Sequence, residues 1–169
     1  MPGGLANQLT KQRGEYHVAA ELARRGLLVA TFSGNVPDYD LVAIRKDGST
    51  ALVQVKAITS GSWQLRADDF LDIEDNESNE TQIVRGVTPF QADIVWVMLQ
   101  LHDEQPPRYW VINRSDVQKI VHHDYLKMLA RCAIPNHRPR QWRSHHTAVH
   151  QAHLSEYEDR WELISGNTA

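Results

Sequence analysis

Apolar positions recur along the chain with two different periods. Between Leu5 and Arg25, the residues Val18, Ala19, Leu22 and Ala23 fall at three- and four-residue spacing, which predicts a helix that Gly26 ends. Leu27 to Phe32 follows as a short apolar strand. Asp40-Leu-Val-Ala-Ile-Arg45 and Thr50-Ala-Leu-Val-Gln-Val-Lys-Ala57 flank Lys46-Asp-Gly-Ser49, and an Asp-Gly pair between two such runs predicts a β-hairpin. Trp63-Gln-Leu65 reads as a short strand or loop, and the acidic stretch after it as a surface loop or helical turn. Ala92 to Leu101 and Arg108 to Asn113 are apolar runs of strand length, joined across His102 to Pro107 as a second hairpin. Ser115 with Gln118 three residues on is a capping-box pattern, and it opens a helix through Val117, Ile120, Val121, Leu126 and Leu129. Pro135 and Pro139 end regular structure there, and a short amphipathic helix is predicted near Ala148 to Tyr157. This order predicts an α/β (α+β by some criteria) fold, with a mixed central β-sheet flanked by helices.

A length of 169 residues with 41% hydrophobic content leads us to expect one domain with one core, carrying a basic and histidine-containing extension over residues 131–169. The short apolar run Ile94 to Leu99 falls far below the ~20 residues a membrane helix needs, so no membrane association is expected. No export-signal pattern opens the sequence, and a single Cys132 cannot form an internal disulfide; both fit a cytoplasmic, reducing compartment. The formal net charge is -3, yet the charges are segregated. Asp68, Asp69, Asp72, Glu74, Asp75, Glu77 and Glu80 are uninterrupted by any base, whereas Arg114 to Arg143 carries seven bases against Asp116 and Asp124.

Side chains alternate across a strand, so Leu52, Gln54 and Lys56 share one face and Val53 and Val55 the other. Lysine and glutamine on an apolar, central strand are out of place. The hairpin brings Asp40 toward the Gln54/Lys56 end of its partner, and Glu15, three and seven residues before Val18 and Leu22, lies on the stripe that should dock on the sheet. Carboxylates, an amide and an ammonium gathered at a sheet edge are costly unless they serve a purpose, and a hard divalent cation with oxygen ligands supplies one. Asp40, Glu15 and the Gln54 carbonyl could hold Mg²⁺, with Mn²⁺ as a substitute, while Lys56 orients or deprotonates a water attacking a phosphate.

Gly14-Glu15, Pro37-Asp38-Tyr39-Asp40-Leu-Val and Gln54-Val55-Lys56, in this order, resemble the PD-(D/E)xK nuclease superfamily. The chain is similar to small Holliday-junction resolvases in its early helical Glu. It is similar to certain restriction, transposition and homing endonucleases in having Gln where the pattern prefers an acid. The resemblance covers residues 14–60 and, more loosely, the later hairpin and helix. It implies a restriction-endonuclease-like fold, a metal-dependent phosphodiesterase (endonuclease-like) acting on nucleic acid, chiefly DNA, and a homodimer for cutting both strands. Both Asp38 and Asp40 are available as the metal ligand; Asp40 is preferred because it starts the strand.

Arg138, Arg140 and Arg143 are candidates for tracking phosphates, and Trp63 and Trp142, in polar surroundings, for stacking on bases. His145, His146, His150 and His153 form a further cluster in which His146 and His150 have the spacing of a helical metal pair, but no Glu lies between them and the metalloprotease motif is absent. Two other functions stay open: a catalytically inactive nucleic-acid-binding module of the same fold, and an interaction protein whose acidic segment Asp68 to Glu80 mimics phosphates or docks a basic partner.

Overall fold

The computed structural model describes residues 3–32, 38–90, 93–133 and 141–166. The fold is mixed α+β, with a central mixed sheet flanked by helices. Two compact units compose it, the first made of Met1–Trp63, Ala92–Arg114 and His150–Ala169, the second of Gln64–Gln91 and Ser115–Val149.

The first unit holds helix α1 (Gly3–Arg24) and a five-stranded sheet of β1 (Leu28–Thr31), β2 (Leu41–Ile44), β3 (Thr50–Ile58), β7 (Ile94–Gln100) and β8 (Arg108–Asn113), in the spatial order β1-β2-β3-β7-β8. β3 occupies the centre; it is parallel to β7 and antiparallel to β2. One face of the sheet is apolar: Leu41, Ala43, Val53, Val55, Val97, Leu99 and Val111 form a single buried cluster with Val18 and Leu22 of α1 and Trp161 and Ile164 near the C-terminus. The last two sit at and within the short helix α3 (Glu162–Ser165). Burying each such side chain contributes about 1.5–3 kcal/mol, which is what docks a helix of weak amphipathicity on the sheet. α1 comes very close at Gly14, where an added Cβ would lie 2.5 Å from the Ala57 Cβ. Gly26 adopts the left-handed conformation (φ 83°) that lets the chain leave the helix and turn into β1.

The opposite face carries Leu52, Gln54 and Lys56 beside Ile94, Trp96 and Met98, which the parallel register places alongside them. Trp63 belongs here too. It is 1% exposed, its indole N–H donates to the Lys56 carbonyl at 2.8 Å, and its ring meets Trp110 edge-on at 5.3 Å.

In the second unit, the acidic stretch expected as a loop or helical turn is a β-hairpin. After a 3-10 turn at Ala67–Asp69, β5 (Leu71–Asn76) pairs antiparallel with β6 (Thr81–Val87). Leu71 and Ile73 alternate with Asp72 and Glu74, a period-2 pattern that the density of charge hides. β4 (Trp63–Arg66), whose residues from Gln64 on belong to this unit, pairs with β9 (His146–Val149). The predicted helix near Ala148 is therefore replaced by β9 and, in the first unit, by two 3-10 turns at Gln151–His153 and Ser155–Tyr157. Thr147 and Val149 are buried while His146 and His150 are exposed, an alternation of two rather than a period of 3.6. Helix α2 (Arg114–Cys132) completes the unit, burying Val117, Val121 and Tyr125. Its Gln118 amide donates to the carbonyls of Phe70 (2.7 Å) and Thr88 (2.8 Å), which ties the helix to both ends of the hairpin. No helix among the described residues is long and apolar enough to cross a membrane.

Candidate functional site

The register Leu41↔Val53 places Asp40, the residue before β2, opposite Gln54 of β3. Asp40 is locked into that place by its own backbone, whose N–H donates to the Val53 carbonyl at 2.8 Å. Its carboxylate is held as well: Oδ2 accepts the Val55 backbone N–H at 2.8 Å and the side-chain amide N–H of Gln54. The side chain keeps only 11% of its surface exposed. Lys56, two residues beyond Gln54 on the same face and ~7 Å further along β3, has its ammonium 5.3 Å from the centre of the Trp96 ring.

α1 delivers two further charges. Lys11 Nζ lies 3.4 Å from Asp40 Oδ1 and 3.6 Å from Glu15 Oε1, so one ammonium bridges carboxylates from two elements. Lys11 was not singled out by the sequence, because a Lys four residues before a Glu on a helix has the ordinary spacing of a surface pair. Partial burial raises the Glu15 pKa, the neighbouring Asp40 charge raises it further, and Lys11 opposes both. Burial works against the Lys11 ammonium, but Asp40 and Glu15 outweigh it and its pKa is raised.

The donor set is therefore two carboxylates and an amide within reach of one cation, all oxygen-bearing and partly solvated. This fits a hard divalent ion that retains several waters. The position between the carboxylates already attracts a positive charge, the Lys11 ammonium. Gln54 would present its carbonyl to an ion only after rotating its amide, since its N–H now faces Asp40. Among the described residues no group of three or more His, Cys, Asp or Glu side chains is gathered for a metal, so any ion here depends on the amide and water to complete its shell. Asp38 stands apart from this arrangement, exposed and on a left-handed backbone (φ 72°).

No protein-family model matches the chain. No curated protein matches it either. Among solved structures, the chain is similar to a bacterial homing endonuclease, with a TM-score of 0.46 and 14% identity over 92% of this chain and 90% of that one.

The other candidate residues are placed differently. Burial of Trp63 leaves no ring face for a base, which corrects the expectation that it lies in a polar loop; the flanking Ser and Gln suggested exposure, but the ring is part of the packing under β3 and β8. Arg138 and Arg140 lie outside the described residues. Arg143 is exposed, stacks on Trp142 at 4.8 Å and pairs with Glu77 of the hairpin turn at 2.8 Å. The acidic stretch is answered within the second unit: Glu74 pairs with Arg85, Asp75 with Gln82, and Asp68 with Arg66, which leaves less bare negative charge than the sequence suggested. His145 stands between Asp68 (3.2 Å) and Asp75 (3.1 Å). Burial opposes its charge, yet the hydrogen bonds to Asp75 and Asp68 prevail and raise its pKa. His146 and His150 do not form a helical pair, since β9 and an extended residue carry them.

Proposed function

We propose that the protein is a Mg²⁺-dependent endonuclease-like phosphodiesterase of the PD-(D/E)xK type, hydrolysing DNA. The observation that carries this reading is Asp40, fixed opposite Gln54 on adjacent strands and joined through Lys11 to Glu15. Asp40 and Glu15 would hold the cation, with the Gln54 carbonyl as a third oxygen. When bound, the ion supplies Lewis acidity to a phosphate oxygen and acidifies its own water.

The chain's residues do the rest. Val55 N–H keeps the Asp40 carboxylate aimed at one point, so little reorganisation is needed when charge builds up there. Lys56 reaches the same face, where its ammonium orients the attacking water and offsets charge on the phosphate. Water oxygen bonds to phosphorus as the water gives up a proton to solvent, the bond from phosphorus to the leaving sugar oxygen breaks, and that oxygen takes up a proton from solvent. Arg143, with Arg138 and Arg140, is proposed to track the DNA backbone, and a homodimer to bring two such sites to the two strands.

The test is cleavage of linear, nicked, single-stranded and branched DNA with Mg²⁺ or Mn²⁺, by the wild type and by Asp40→Asn and Lys56→Ala. Metal-dependent cleavage lost in both variants supports the reading. DNA binding without cleavage in the wild type would return the protein to a non-catalytic module.

A further inference from the structure

Lys11 occupies the position that the proposed function gives to a cation. Its ammonium is 3.4 Å from Asp40 Oδ1 and 3.6 Å from Glu15 Oε1, while the other Asp40 oxygen is engaged by the Val55 N–H and the Gln54 amide. Two carboxylates facing each other repel unless a positive charge stands between them, and near a protein surface that repulsion is felt strongly at such distances. The lysine side chain is 59% exposed, in contrast to 11% for Asp40 and 25% for Glu15, so it is the member of the trio that can leave. A groove of about 370 Å³ along α1, lined by Leu5, Gln8, Leu9, Lys11, Gln12 and Glu15, gives the flexible stem room to withdraw.

We propose that Lys11 is a positioning residue with two stations. In the cation-free protein it holds the carboxylates of Asp40 and Glu15 in place as their counter-charge; once a divalent cation is bound there, it is released to a phosphate oxygen of the nucleic acid. This inference rests on the nuclease reading and adds to it a residue that the Gly-Glu, Asp and Gln-x-Lys pattern does not include. Lysine suits the task because its ammonium is a compact point charge on a four-carbon stem, able to exchange one set of oxygens for another.

The experiment is calorimetric titration of the full chain with Ca²⁺, which takes the same oxygen ligands, together with binding of a linear DNA duplex over a range of salt concentrations. Lys11→Met removes the competing charge, so Ca²⁺ should bind about tenfold tighter, the change that corresponds to roughly 1.4 kcal/mol. Lys11→Arg keeps a positive charge and should stay close to the wild type. In Ca²⁺ the salt slope of DNA binding by Lys11→Met should be shallower by about 0.9, one phosphate contact, whereas in chelator it should equal the wild type because the ammonium is then held by the carboxylates. A purely structural ion pair predicts the reverse: Ca²⁺ affinity unchanged or weakened in Lys11→Met, and that result overturns the proposal. Wild-type Ca²⁺ binding that Asp40→Asn abolishes but Lys11→Met leaves unaltered would sink the role of Lys11 alone. Absence of Ca²⁺ binding in the wild type would overturn the nuclease reading and this inference together.

Discussion

The backbone N–H of Val55 donates to the carboxylate of Asp40 at 2.8 Å, so a peptide of the central strand fixes the acid that precedes its neighbour. Asp40→Asn keeps the size of the side chain and an oxygen for that N–H, but removes the charge that attracts a cation. We expect the fold to persist, divalent-ion binding to fall below detection in calorimetry, and cleavage to disappear with it. Lys56→Ala should separate the two: ion binding like the wild type, and turnover lowered by about 10²–10⁴-fold, the range of a positioned acid or base. Gln54→Glu should tighten Mg²⁺ and retain cleavage, since a carboxylate replaces a neutral amide.

Glu15 offers a stability test. Its folded pKa is raised above the ordinary 4.5, first by burial and then by Asp40, so ionising it costs folding free energy. That cost is absent below about pH 4.5, grows as pH rises through the raised value, and is full above it. Glu15→Gln should therefore melt with the wild type in acid and somewhat above it at neutral pH, by less than ~1 kcal/mol at a site so solvated. A variant less stable than the wild type at pH 7 would count against this account of the carboxylate cluster.

The second unit should respond to pH with the opposite sign. His145 has a raised pKa, so its contribution is full below its unfolded value of 6.5 and is lost as pH rises through the folded one. Asp68 and Asp75 have lowered values, Asp68 despite its burial, through Arg66 and His145, and Asp75 through His145 and Gln82. Their share is present above the unfolded 3.8 and lost as pH falls through the lowered values. The stability difference between wild type and His145→Gln, followed by urea unfolding, should thus be widest between about pH 4 and 6.5.

Close approach of α1 to β3 gives a prediction that joins packing to chemistry. Gly14→Ala would put a methyl group 2.5 Å from the Ala57 Cβ, so the helix must move away and carry Glu15 and Lys11 with it. We expect a loss of about 1–3 kcal/mol, typical of overpacking, and cleavage reduced beyond what that loss explains. Gly14→Ala combined with Ala57→Gly should recover both; recovery of stability without cleavage would show that the helix position does not set the site.

Trp63 discriminates packing from recognition. Trp63→Ala should cost about 3–5 kcal/mol, as for other buried aromatic truncations, while Trp63→Phe keeps a ring against Trp110 and loses mainly the bond to the Lys56 carbonyl. If Trp63→Phe folds normally, its affinity for DNA should match the wild type.

The strands that frame the site were legible because Asp40 to Ala57 alternates cleanly around an Asp-Gly turn, and the two polar residues on β3 broke an otherwise apolar pattern. The β5–β6 hairpin was not, because seven acids hid the alternation of Leu71 and Ile73, and their partners Arg66, Arg85, Arg143 and His145 are spread over some 80 residues of sequence. The stretch around β9 resembled a helix through the four-residue spacing of His146 and His150, of which β9 holds only the first. Lys11 escaped notice since its second partner, Asp40, is distant in sequence and is brought to it only by the packing of α1 against β3.

Asp40, Gln54 and Lys56 also set the alignment of β2 on β3. A slip of β3 by a single residue would turn Gln54 and Lys56 onto the face where Val53 and Val55 now meet Val18 and Leu22, while expelling those valines. Two unanswered polar groups would then be buried under α1, a heavy penalty in an apolar cluster. The residues proposed for chemistry therefore act during folding as well, as a proofreading mark that admits one alignment of the sheet and rejects its neighbours.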